Sequence, residues 1–82
     1  MMDLRTNIRS EFMKFLGDVY KERPLQIVSG KELMDALLIE EETLRFHLRF
    51  LFDLGYVELL SKNQDCRALV RMTEKGFSKF EN

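Results

Sequence analysis

One histidine and one cysteine, His47 and Cys66, stand alone of their kind in the 82 residues. A lone cysteine forms no internal disulfide, and the pair is too few for a zinc site, whose usual ligand count is four. His47 falls at the edge of an apolar helical seam and reads as a partly buried structural residue. Cys66 falls where a strand opens and reads as a small inward-facing hydrophobe; a redox role would need an exposed, electropositive setting. The run Glu40-Glu41-Glu42 resembles an acid-base cluster in composition only. It lies at a helix start on a domain too small to offer an evident cleft, and carboxylates there suit the helix dipole. With no glycine-rich phosphate loop, no close Cys/His pair and no paired carboxylates in a pocket, catalysis is the weakest class, and no cofactor or metal is implied.

These residues need a scaffold, and the composition allows one small domain over residues 1–82. The chain is 45% hydrophobic, which supports a core of just sufficient size, with about 60–65% of the unfolded surface buried. Thirteen Lys and Arg against fourteen Asp and Glu leave a net charge of −1, so no global field draws the chain to a polyanion and any such contact needs a local patch. Neither a signal peptide nor a membrane span is visible, and a cytoplasmic location is expected by default.

Between Asp3 and Arg23, Leu4, Ile8, Phe12, Phe15, Leu16 and Val19 recur at steps of three and four, which predicts an amphipathic helix. Met13 and Tyr20 lie beside that stripe. Pro24 stops the helix at Arg23. Leu25 to Val28 suits a brief strand. Ser29 and Glu32 then form an S-x-x-E capping box, with Val28 and Leu33 as its hydrophobic staple, so a second helix starts there and buries Leu33, Ala36 and Leu37. After a turn at residues 38–41, a third helix from Glu41 to Leu54 carries Leu44, Leu48 and Leu51 as its seam, turns Phe46 and Phe50 outward, and stops at Gly55. Residues 56–61 and 66–72 alternate as two hairpin strands around Lys62-Asn63-Gln64-Asp65. Pairing Ser61 with Cys66 puts Val57, Leu59, Ala68 and Val70 on the core face. Thr73 caps a short last helix in which Phe77 and Phe80 pack back.

The run from Thr43 to Val57, TLRFHLRFLFDLGYV, resembles the recognition helix and strand entry of MarR, ArsR and PadR-type winged helix-turn-helix regulators. Met72-Thr73-Glu74-Lys75-Gly76 is similar to the segment that follows the wing in that superfamily. The likeness spans nearly the whole chain and implies an α+β fold: a three-helix core, a two- to three-stranded wing and a short C-terminal helix. It also implies a small transcriptional regulator that binds double-stranded DNA, with the third helix in the major groove and the wing on a flanking groove or backbone. Carried over residue by residue, Thr43, Arg45, Phe46 and Arg49 fall on the recognition helix, and Lys62, Asn63, Gln64 and Arg67 on the wing. Arginines suit guanine edges or phosphates, a Phe can touch a thymine methyl, and a Lys/Asn/Gln tip supplies donors.

Two features point elsewhere. Residues 1–23 carry +1, residues 24–42 carry −4 and residues 43–82 carry +2, so the acid sits at the start of the helix that should approach phosphate. In addition, Phe46 and Phe50, with Leu60 and Leu69 on the outer hairpin face, form more apolar surface than a small monomer usually exposes. The alternative is therefore a winged-helix module that binds a protein partner through the acidic helix start and the Phe46/Phe50 face. Since Met13 and Tyr20 widen helix one, and regulators of this superfamily join through terminal helices, a homodimer through helix one is also expected.

Overall fold

A computed structural model describes residues 4–81, with side chains from Ile8 onward; Asp3 and the side chain of Leu4 lie outside the described residues. Among these residues the chain is a small α+β domain ordered α1 (Leu4–Glu22), β1 (Val28–Ser29), α2 (Gly30–Leu37), α3 (Glu41–Asp53), β2 (Val57–Leu59), β3 (Leu69–Met72) and α4 (Glu74–Glu81). The three strands pair antiparallel in the order β1-β3-β2. Phe12 and Leu16 of α1, Leu33 of α2, the Leu44/Leu48/Leu51 seam of α3 and the inner sheet residues Val28, Val57, Val70 and Met72 close one core. No described helix is long and apolar enough to cross a membrane.

The start of α2 is fixed twice. The Ser29 hydroxyl accepts from the Glu32 N–H at 3.1 Å while the Glu32 carboxylate accepts from the Ser29 N–H at 3.3 Å, completing the capping box. The next two donors go to the hairpin loop, Gly30 N–H to the Ala68 carbonyl at 2.8 Å and Lys31 N–H to that of Cys66 at 2.9 Å. No N–H of the first turn is then left for intrahelical bonding to fail. Of the residues expected beneath α2, Leu33 is buried and Leu37 half-buried, but Ala36 is exposed; Met34 turns toward the core in its place. The helix ends on Leu38, which adopts φ 54° and ψ 50° and donates its N–H to the Met34 carbonyl.

At the end of α3, Gly55 (φ 77°) donates to the Phe52 carbonyl and Tyr56 to the Leu51 carbonyl, both at 2.9 Å. This double turn-off needs a residue tolerant of positive φ, and glycine supplies it.

The hairpin corrects the expected register. Val57 pairs with Met72 and Leu59 with Val70, two residues away from the alignment that sets Ser61 against Cys66. Because side chains alternate with period two, a slip of two keeps each residue on its face. Val57, Ala68 and Val70 are accordingly buried and Leu59 half-buried. The loop absorbs the difference and runs from Leu60 to Ala68, so Cys66 lies in it and is exposed rather than inward-facing. Its backbone is spent on α2, which leaves the thiol pointing out.

Helix α4 is docked by its first turn. The Thr73 hydroxyl donates to the Gly55 carbonyl at 2.6 Å and accepts from the Gly76 N–H at 3.0 Å, tying the exit of β3 to the end of α3. Gly76 sits against the Tyr56 backbone, so close that a Cβ would overlap the carbonyl oxygen. Farther along, Phe77 stacks on Tyr20 with ring centroids 4.5 Å apart, and Phe80 lies across Gly17. Tyr20 and Met13, the strip on helix one expected to meet a second subunit, are both half-buried within the chain, Tyr20 by its stacking on Phe77.

Candidate nucleic-acid interface

The surface of interest grows from the periodicity of α3. With Leu44, His47, Leu48 and Leu51 turned into the core, the opposite side of the helix faces out, and Glu42, Arg45, Phe46, Arg49 and Asp53 lie along it. Together with Gln64 from the hairpin loop they border an open groove of about 530 Å³. The loop reaches this position because its backbone is anchored on α2, as described above. It is held inside as well: the Asp65 carboxylate accepts from the Arg67 backbone N–H at 2.8 Å and from its guanidinium at 3.0 Å, and the Ser61 hydroxyl accepts from the Leu69 N–H at 3.3 Å. The Arg67 side-chain bond, followed by the backbone bond, holds the Asp65 carboxyl below the usual carboxylate range, and the same bond raises Arg67.

Of the residues expected to contact DNA, Arg45, Phe46, Arg49 and Gln64 share this groove. Thr43 is half-buried nearer the core, and Lys62, Asn63 and Arg67 are exposed on the loop outside the groove lining. Each arginine of the set already has an acid beside it. Arg45 lies 3.5 Å from Glu41, Arg49 3.7 Å from Asp53 and Arg67 3.0 Å from Asp65. The groove lining thus holds two arginines, one glutamate and one aspartate, a balanced set rather than a basic stripe.

The two expected outward aromatics differ from one another. Phe46 is 44% exposed and meets His47 edge-on at 5.1 Å. Phe50 is half-buried under the Arg9 guanidinium, 3.7 Å from its ring centroid, yet it lines the α3–hairpin groove together with Phe46; Phe52 is exposed on another side of the helix. His47 is fully buried, not partly, and its ring lies 5.3 Å from Phe12. It acts as a ring-shaped core residue on which Phe46 leans.

The sequence marks Glu42 as part of the acidic helix start but does not mark Asp53, which lines the groove, or Asp65, which pairs with Arg67 on the loop. The signal was available for two of the arginines: Glu41/Arg45 and Arg49/Asp53 have the i, i+4 spacing that places opposite charges together on a helix. Asp65 with Arg67 needed the loop conformation. Among the described residues no three His, Cys, Asp or Glu side chains gather as metal ligands. No family model, curated protein or solved structure matches this chain.

Proposed function

We propose that the chain is a winged helix-turn-helix domain acting as a small DNA-binding transcriptional regulator, with α3 in the major groove and the β2–β3 hairpin as the wing on the flanking groove or backbone. The observation that carries the reading is the convergence of α3 and the hairpin loop on one groove, bordered by Arg45, Arg49 and Gln64. The arginine ion pairs do not oppose it. Both are solvent-exposed i, i+4 pairs, worth about 0.3–0.5 kcal/mol each, which a phosphate or a guanine edge can replace. Fluorescence anisotropy on a labelled mixed-sequence duplex at low salt tests it. The wild type should bind and lose affinity as salt is added. Arg45→Ala, Arg49→Ala and Lys62→Ala should each weaken binding and, where the lost contact is to phosphate, lower the salt slope by about one. No binding at micromolar protein on any duplex overturns the proposal.

The balanced charge of the groove and the exposed Phe46 and Phe52 favour a second reading, a protein-binding module on the same fold, since fold leaves function open. The variant Glu41→Gln/Asp53→Asn separates the two. On the DNA reading it frees both guanidiniums and tightens duplex binding. On the protein reading both the wild type and this variant give flat duplex titrations.

A further inference from the structure

A second groove lies on the other side of α3, between α1, α3 and α4, and its volume of about 540 Å³ is in the range of small-molecule sites. Its walls are apolar, with Met13 from α1, Phe50 from α3, Leu54 just past the end of α3 and Phe80 from α4. Its charge is one-sided. Arg9 and Lys79 line it and, among the described residues, no carboxylate does, although acids outnumber bases in the chain as a whole. Lys21 and Lys75 stand 5.8 and 5.9 Å from the ring centroids of Phe80 and Tyr56, both groove-lining residues, adding two more cations at its border.

Arg9 is the informative residue. Its guanidinium carbon sits over the Phe50 ring, 3.7 Å from the centroid, a cation–π contact that holds the group against the groove wall. Its Nε is sealed from solvent and has no hydrogen-bond acceptor among the described residues, although burying such a donor unpaired is costly. With Nε enclosed, the terminal N–H groups of a guanidinium held against an apolar wall are the donors that a carboxylate entering the groove would meet.

We propose that this groove binds a small amphipathic carboxylate, its apolar body against Met13, Leu54 and Phe80 and its carboxylate between Arg9 and Lys79. The proposal stands independently of the DNA reading, because none of these residues borders the α3–hairpin groove except Phe50.

The test is a 15N-1H correlation spectrum of the full chain titrated with naphthalene-1-carboxylate. Naphthalene-1-carboxamide and 1-naphthylmethylamine, which keep the ring and change the head, serve as controls. Shift changes should centre on residues 9, 13, 50, 54, 79 and 80 and saturate with the carboxylate. The amide should bind about tenfold more weakly and the amine more weakly still. Lys79→Gln, at an exposed position of α4, should weaken the carboxylate severalfold without changing the melting temperature, and Arg9→Gln should weaken it more strongly; Lys31→Gln on α2 should change nothing. Equal binding of carboxylate and amide, shifts scattered outside the groove, or no saturable shifts at millimolar ligand would each overturn the proposal. So would a wild-type dimer in sedimentation with the groove residues protected on dimer formation, since a second copy would then be the occupant.

Discussion

At the scale of single residues, the side chain most at odds with its position is Leu38. It holds φ 54°, where an L side chain crowds its own carbonyl at a cost of about 1–2 kcal/mol, and it is 90% exposed, so no burial offsets the strain. Leu38→Gly removes the clash but adds freedom to the unfolded chain. The net expectation is a gain of about 0.5–1 kcal/mol, read in urea as a higher midpoint at unchanged slope. Nothing in the residue pattern marks this position, because the usual marker of a left-handed cap is a glycine or asparagine and neither is present. Asp65 offers a second test. Its folded carboxyl lies below the ordinary range, so its contribution to loop order is present at neutral pH and is lost as pH falls through that depressed value, below about 4. A carboxyl 13C titration should give a midpoint under the usual aspartate value, and Arg67→Gln should move it back up.

At the scale of elements, the docking of α4 turns on two glycines whose neighbours differ in stiffness. A Cβ on Gly76 meets the Tyr56 backbone carbonyl, which cannot yield without moving α4 off the end of α3. A Cβ on Gly17 meets only the Phe80 ring, half-exposed and able to swing aside, while the substitution raises helix propensity. Gly76→Ala should therefore cost about 3 kcal/mol, near the upper end for overpacking, and Gly17→Ala should stay within about 1 kcal/mol of wild type. Thr73→Val removes both bonds of the clasp and should cost about 1–2 kcal/mol. Thermal melts rank all three, and equal costs for the two glycine variants would contradict the packing described. The Thr73-Glu74-Lys75-Gly76 segment thus has a local physical reason in this chain. Legibility at this scale follows the range of the cause. The capping box, the α3 seam and the Gly55 stop are written within a few residues and are legible there. The hairpin register depends on a nine-residue loop held by α2, and alternation alone specifies the face of each residue but not a slip of two.

For the whole molecule the question is what covers its apolar surface. The exposed large hydrophobics are spread over the α1–β1 connection (Leu25, Ile27), the α2–α3 turn (Leu38), α3 and its C-cap (Phe46, Phe52, Leu54) and the outer hairpin (Leu60, Leu69). A dimer of ordinary size covers about 800 Å² per partner, roughly a seventh of the 5579 Å² of this surface. Such a patch was expected on helix one from Met13 and Tyr20, yet α4 folds back over Tyr20, and Met13 forms a groove wall. This long-range packing was not legible, because an eight-residue helix with an internal glycine is weak alone and gains its place only from the contacts it makes. It changes what the double substitution Met13→Glu/Tyr20→Glu reports. Placing a carboxylate against the Phe77 ring should destabilise the single chain by about 2–4 kcal/mol, visible as a lower melting temperature at every protein concentration. Sedimentation equilibrium of the wild type at tens of micromolar should then return the mass of one 9.8 kDa chain. A wild-type dimer that the double variant dissolves without loss of fold would restore helix one as the subunit contact and require α4 to leave Tyr20 when two copies meet.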